Sequence, residues 1–130
     1  MDFEEALSAE IESISGLRGK VFPVFIPGKP APYAVYLSSP GLRDKTLNNG
    51  YLHSKKVGVS LNIVASKYEQ LKPLLNAALN KLISFEGRVI GTDGPYIDEL
   101  TYEQPVELWE DEPKLYRGLI EFEVYYRESE

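Results

Sequence analysis

The sequence predicts an α+β fold, with two helices packed on one face of a mostly antiparallel β-sheet. Three observations predict it. The closing stretch YRGLIEFEVYYRESE places Tyr116, Gly118, Ile120, Phe122, Val124 and Tyr126 on one side and Arg117, Leu119, Glu121, Glu123, Tyr125 and Arg127 on the other, the period-two pattern of a half-buried strand. KKVGVSLNIVA (55–65) does the same, with Val57, Val59, Leu61, Ile63 and Ala65 facing one way. Two further segments carry apolar residues at helical spacing and are separated by strand-like stretches, so that the order is helix, two strands, a long arm, strand, helix, two strands.

Taken in chain order, residues 2–14 set Phe3, Ala6, Leu7, Ile11 and Ile14 on one helical stripe, with Glu4, Glu5, Glu10 and Glu12 between them and acids near the partly positive N-terminal end. Gly16 can close this helix in the left-handed conformation. GLRG (16–19) has the spacing of the GXXG clamp of KH domains, but that loop joins two helices and an extended segment follows here. A helix cap is the better reading. KVFPVFI (20–26) and YAVYLSS (33–39) read as strands, and Pro23 confines the first to a sheet edge.

PGLRDKTLNNGYLHSK (40–55) has no sustained period and reads as an arm over about 40–54, expected to be mobile in the free subunit. Asn49-Gly50 can turn a small protruding hairpin within it. After the strand at 55–65, Ser66 and Glu69 have capping-box spacing, and Tyr68, Leu71, Leu75, Leu79 and Leu82 form the inner stripe of a second helix. Pro73 should kink that helix or mark where its regular part begins. Residues 83–96 form a turn-rich connector, and 99–108 with 115–127 form a long hairpin turned at WEDEP (109–113). The expected core is Leu7, Ile11, Val59, Leu61, Ile63, Leu71, Leu75, Leu79, Ile120, Phe122 and Val124.

Composition bounds what such a chain can do. Its 130 residues make one domain, 1–130, able to bury about two-thirds of its unfolded surface. There are no cysteines, which excludes disulfides and thiolate metal sites. The acidic N-terminus lacks the order of a secretion signal, and no apolar run approaches the ~18 residues that span a bilayer, so a soluble protein is expected. A net charge of −6 argues against dedicated nucleic-acid or anionic-membrane binding.

Chemistry is sparse. His53, the only histidine, lies in the arm beside Lys55 and Lys56 and reads as a solvated loop residue rather than a zinc ligand. No G-x-S-x-G elbow, phosphate loop or dinucleotide fingerprint is present, and Gly87, Gly91 and Gly94 are spaced as turn residues around Asp93. The residues that remain are an acidic sheet face of Glu99, Glu103, Glu107, Glu121 and Glu123. Pairing Trp109 with Leu115 sets Glu107 opposite Arg117 and Glu103 opposite Glu121, and directly opposed like charges weaken a ladder. A solvated face outweighs general acid–base work or hard-cation binding, and a surface that meets a partner or repels a polyanion lies between them. Residues 40–56 hold Arg43, Lys45, Lys55 and Lys56 against Asp44, a balance of +3 that leaves −9 on the remainder. A basic arm on an acidic body invites association of one copy with the next.

The whole pattern resembles the tail-completion, or tail-terminator, proteins of long-tailed bacteriophages and prophages. The resemblance rests on the N-terminal helix, on VFPVFIPGKPAPYAVYLSS, on VSLNIVASKYEQLKPLLNAALNKLI and on YRGLIEFEVYYRE, and covers nearly the whole chain. It implies a ring-forming homo-oligomer, usually of six subunits, assembled in the bacterial host cytoplasm and placed at the head-proximal end of the virion tail. Its partners would be itself, the tail-tube protein and the head-connector protein, with DNA passing through a channel without specific binding. It implies no enzymatic activity, no cofactor and no membrane, and carries no catalytic residue over to this sequence. An acidic face would suit a channel that DNA must slide through. Two other classes stand beside it: a small α+β ligand-binding or regulatory module with a concave apolar pocket, and a carboxylate-dependent hydrolase in which Glu103, Glu121 or Asp98 converge near a cleft.

Overall fold

Two long strands form the centre of the molecule, and everything else is laid against them. The structure, a computed structural model, describes residues 2–24, 30–39, 42–46, 50–111 and 114–127, with the side chains of 42–46 and 50–54 outside that description. The elements run α1 (Phe3–Glu12), β1 (Val21–Pro23), β2 (Tyr33–Ser38), β3 (Leu42–Thr46), β4 (Gly50–Ala65), α2 (Tyr68–Ile83), β5 (Arg88–Val89), β6 (Tyr96–Tyr102), β7 (Val106–Glu110) and β8 (Leu115–Arg127). The sheet order is β1-β2-β4-β8-β6-β5, with β3 added to β4 and β7 added to β8. All pairings are antiparallel except β1 with β2. The expected α+β architecture is the one observed.

β4 and β8 pair along twelve residues, from Ser54 opposite Arg127 to Ala65 opposite Tyr116. Each is flanked on its other side by a strand broken in two. β2 and β3 follow β4, and β6 and β7 follow β8. The inner face carries Val57, Val59, Leu61 and Ile63 from β4 and Ile120, Phe122, Val124 and Tyr126 from β8, all buried. Both helices close over this face. Phe3 of α1 stacks on Tyr126 with ring centroids 5.1 Å apart, and Leu75 of α2 lies so close to Gly118 that a Cβ there would come within 2.7 Å of it. A glycine at position 118 therefore lets α2 approach the sheet.

α1 begins in a capping box of Asp2 and Glu5, each side chain accepting from the other's backbone N–H. It ends at Glu12, with Ser13 as C-cap, and Gly16 takes a left-handed conformation (φ +98) in the turn beyond. In α2 the expected box does not form: the N-cap is Lys67, one residue past Ser66, and no side chain caps it. The helix runs through Pro73. Its buried stripe is Leu71, Leu74, Leu75, Ala78 and Leu82, with Leu79 half-buried and Tyr68 exposed. The phase is thus rotated toward Leu74 and Ala78. The connector after α2 also contributes core, since Phe85 and Ile90 are fully buried.

Pro23 sits on edge strand β1, as its missing amide requires. The arm at 40–54 is largely a ladder, with Leu42 opposite Lys56 and Thr46 opposite Gly50. Asn49 of the expected Asn49-Gly50 turn lies outside the described residues, as do 40–41, 47–48 and Glu112 and Pro113 of the second turn. Among the described residues no helix is long and apolar enough to cross a membrane.

Candidate functional site

The outer face of the curled sheet is where charge gathers. On β8 the outer positions are Glu121, Glu123 and Tyr125, opposite Ser60, Gly58 and Lys56 of β4. On the other flank Thr101 faces Glu123 and Glu99 faces Tyr125. The Glu103 N–H, one residue past the end of β6, donates to the Glu121 carbonyl at 2.9 Å, which sets the two glutamates opposite each other. Glu103, Glu121 and Glu123 line a depression of about 370 Å³ together with Leu37, Ser60 and Thr101. The cation that answers them is Lys56, whose Nζ lies 3.2 Å from Glu123. Glu99 borders a smaller hollow beside Lys56, Glu123 and Tyr125.

The hairpin that carries these acids does not keep one register. The pairing that sets Glu103 opposite Glu121 holds from Glu99 to Tyr102, after a shift between Ile97 and Glu99. Across Glu103-Gln104-Pro105 one extra residue enters, and Trp109 pairs with Tyr116 rather than Leu115. A one-residue shift sends every following side chain to the opposite face. Glu107 therefore leaves the acidic face: it stands opposite Gly118 on the helix side and accepts from Lys72 Nζ at 2.8 Å and Tyr68 Oη at 3.3 Å. The Lys72 hydrogen bond holds its carboxyl below the usual range. Val106 and Leu108, in exchange, turn outward and stand half-exposed.

The shift also builds an aromatic corner that the sequence did not reveal. Trp109 lies 4.6 Å from Tyr116, and Tyr68 meets Tyr116 edge-on at 5.7 Å. Trp109 Nε1 donates to Asp111 at 2.7 Å. Farther along β8, Arg117 pairs with Glu110 at 2.8 Å and reaches Asn62 at 3.3 Å. Asp98 does not join the depression, since Arg127 holds it with hydrogen bonds of 2.9 and 3.2 Å. Of the basic arm, Lys55 and Lys56 lie on β4, while Arg43 and Lys45 lie on β3 with side chains outside the described residues, as is that of His53.

Chemically, this face offers carboxylates on a shallow, open surface, with the hydroxyl residues Ser60 and Thr101 beside them. Among the described residues no group of three or more His, Cys, Asp or Glu is placed to hold a metal ion. What the arrangement supplies is a negative field over one sheet face and half-exposed apolar side chains at one corner.

No family model matches the chain, and no curated protein matches it. Solved structures do. One is a chain from the virion of a native gene transfer agent particle, with a TM-score of 0.67 at 13% identity, covering 96% of this chain and 94% of that one. The fold is shared end to end. A second solved structure, which carries no functional name, has a TM-score of 0.60 at 15% identity and covers 98% of this chain and 92% of its own. At such identities the likeness is one of fold.

Proposed function

We propose that this chain is a structural subunit of a phage-like particle, and more narrowly a tail-completion protein that caps the tail tube and joins it to the head. The observation that carries the reading is the end-to-end match to a gene transfer agent virion chain, which spans 96% of the protein. On this reading the protein works by shape, as a ring of subunits, six by family resemblance, at the head-proximal end of the tail. It has no catalytic role and no cofactor. The carboxylates of Glu103, Glu121 and Glu123 then keep a DNA-bearing surface from sticking, because acid repels phosphate.

The test is deletion of the gene from a genome that encodes it. Electron microscopy should then show overlong or headless tails, and the titre of functional particles should fall steeply. Tails of normal length joined to normal heads would overturn the reading.

A further inference from the structure

Among the described residues four strands, β1, β3, β5 and β7, have an edge without a partner, and the two longest of them, β3 and β7, occupy opposite corners of the sheet. β3 pairs with β4 alone and β7 with β8 alone. β3 lies at the end of β4 that runs past Arg127, while β7 lies at the Leu115 end of β8 and on its far side from β4. The length of β8 sets them roughly 40 Å apart, at about 3.3 Å per residue. Each edge is five residues long.

The two edges are complementary in charge. Residues 103–111 hold Glu103, Glu107, Glu110 and Asp111 and no lysine or arginine, with Glu107 met by Lys72 and Glu110 by Arg117 from neighbouring elements. The ribbon at 42–56 holds Arg43, Lys45, Lys55 and Lys56 against Asp44. β7 also shows Val106, Leu108 and Trp109 at 47–48% exposure, with side chains on both faces of one edge strand. An open edge with apolar side chains is a template for strand addition, and the charges β7 carries, Glu107 and Glu110, favour a cationic strand over a second acidic one. Trp and Tyr, present here in contact, are the residue types that most often anchor interfaces.

We propose that β3 of one copy adds as a strand to β7 of a second copy. Main-chain hydrogen bonds supply the attraction, and the acidic margin of β7 selects the cationic ribbon over other edges. Donor and acceptor edges differ and lie at opposite corners, so every copy can give one and receive one. Such a head-to-tail contact closes into a ring or runs on as a filament. The inference extends the assembly reading above by naming the contact.

Because the chain has no cysteine, single-cysteine variants report this contact without background. Asp44→Cys and Leu108→Cys, one of them tagged, are mixed at about 1 mM, where even a millimolar contact is half-populated, and oxidised. The expected product is a mixed disulfide dimer, abundant in the mixture and scarce in either variant alone. Adding Arg43→Glu and Lys45→Glu to the Asp44→Cys protein should lower the yield several-fold at low salt, with the circular dichroism unchanged. Adducts as abundant in Leu108→Cys alone would show a symmetric β7–β7 contact and overturn the proposal, as would a mixture without mixed dimer. An undiminished yield after charge reversal would overturn the selection of β3 by charge. These outcomes are read in purified protein, so their failure would leave the tail phenotype of the gene deletion to be judged on its own.

Discussion

Glu10 shows how much one side chain can hold together in a domain this small. It ends the polar side of α1, yet its side chain is only 12% exposed. It accepts from Arg88 Nη1 at 2.9 Å and Nη2 at 3.0 Å, and from the Gly91 N–H at 2.8 Å, with Lys81 Nζ 3.9 Å away. One carboxylate thus ties α1 to the end of α2 and to the connector beyond it. The Arg88 hydrogen bonds lower its pKa, against an opposing effect of burial. A carboxyl whose folded pKa is depressed contributes fully above its unfolded value, here 4.5, and loses that contribution as pH falls through the folded pKa. Glu10→Gln should cost about 1.5–3 kcal/mol at pH 7, the range for hydrogen bonds to charged groups. The gap in urea midpoint between the two proteins should close as pH is lowered below 4.5. A gap that stayed constant would mean that the carboxylate's charge is not what stabilises the junction. Nothing in the sequence marks Glu10 apart from Glu4, Glu5 or Glu12, because its partners lie some eighty residues away.

The β6–β7 limb shows where sequence reading reaches its limit at the level of elements. β8 was legible because a buried face and a wet face impose strict alternation over its 13 residues. The opposing limb is also apolar–polar by eye, but its parity inverts at Glu103-Gln104-Pro105. Pro105 was the available signal, since a proline interrupts a ladder, but it does not say whether a residue is gained there. Leu108 and Glu107 consequently exchange faces relative to the sequence reading. The capping box of α2 failed for a related reason: Ser66 and Glu69 fit by spacing, while the helix starts one residue later. The helix stripe held at Leu71, Leu75 and Leu82, while its phase turned toward Leu74 and Ala78 and left Tyr68 exposed. Trp109, the only tryptophan, lies on β7, which is held along one side and half-exposed. Strands with few buried contacts open at lower free energy than the core. Tryptophan fluorescence should therefore change at lower denaturant than far-UV circular dichroism, which follows β4, β8 and the helices. Coincident transitions would show that β7 unfolds only with the whole domain.

For the whole molecule the decisive feature is that charge and open edges are segregated. The centre is a closed sandwich of helices on sheet, and the ribbon extends from one end of it, since Gly50–His53 of β4 lie beyond the last residues paired to β8. Such a ribbon adds little to the stability of the core, because a two-stranded hairpin alone is marginal in water. Its charge can therefore be changed without unfolding the protein. The Lys56–Glu123 ion pair that is lost is 55% exposed on each side, and exposed pairs contribute about 0–1 kcal/mol. Replacing Arg43, Lys45, Lys55 and Lys56 by Glu should leave the denaturation midpoint nearly unchanged. If the protein completes tails as proposed and the ribbon guides its assembly, the same variant should do so slowly in a complementation assay, giving overlong or headless tails and few functional particles. Charge at an interface acts mainly on encounter and register and is weakened by salt, so the defect should appear as a rate rather than as total loss. A variant with Arg18, Lys20, Lys67 and Lys114 reversed to Glu carries the same net charge elsewhere on the surface. It should complete tails at the normal rate. Equal slowing in both variants would assign the effect to net charge and remove the ribbon from the assembly contact.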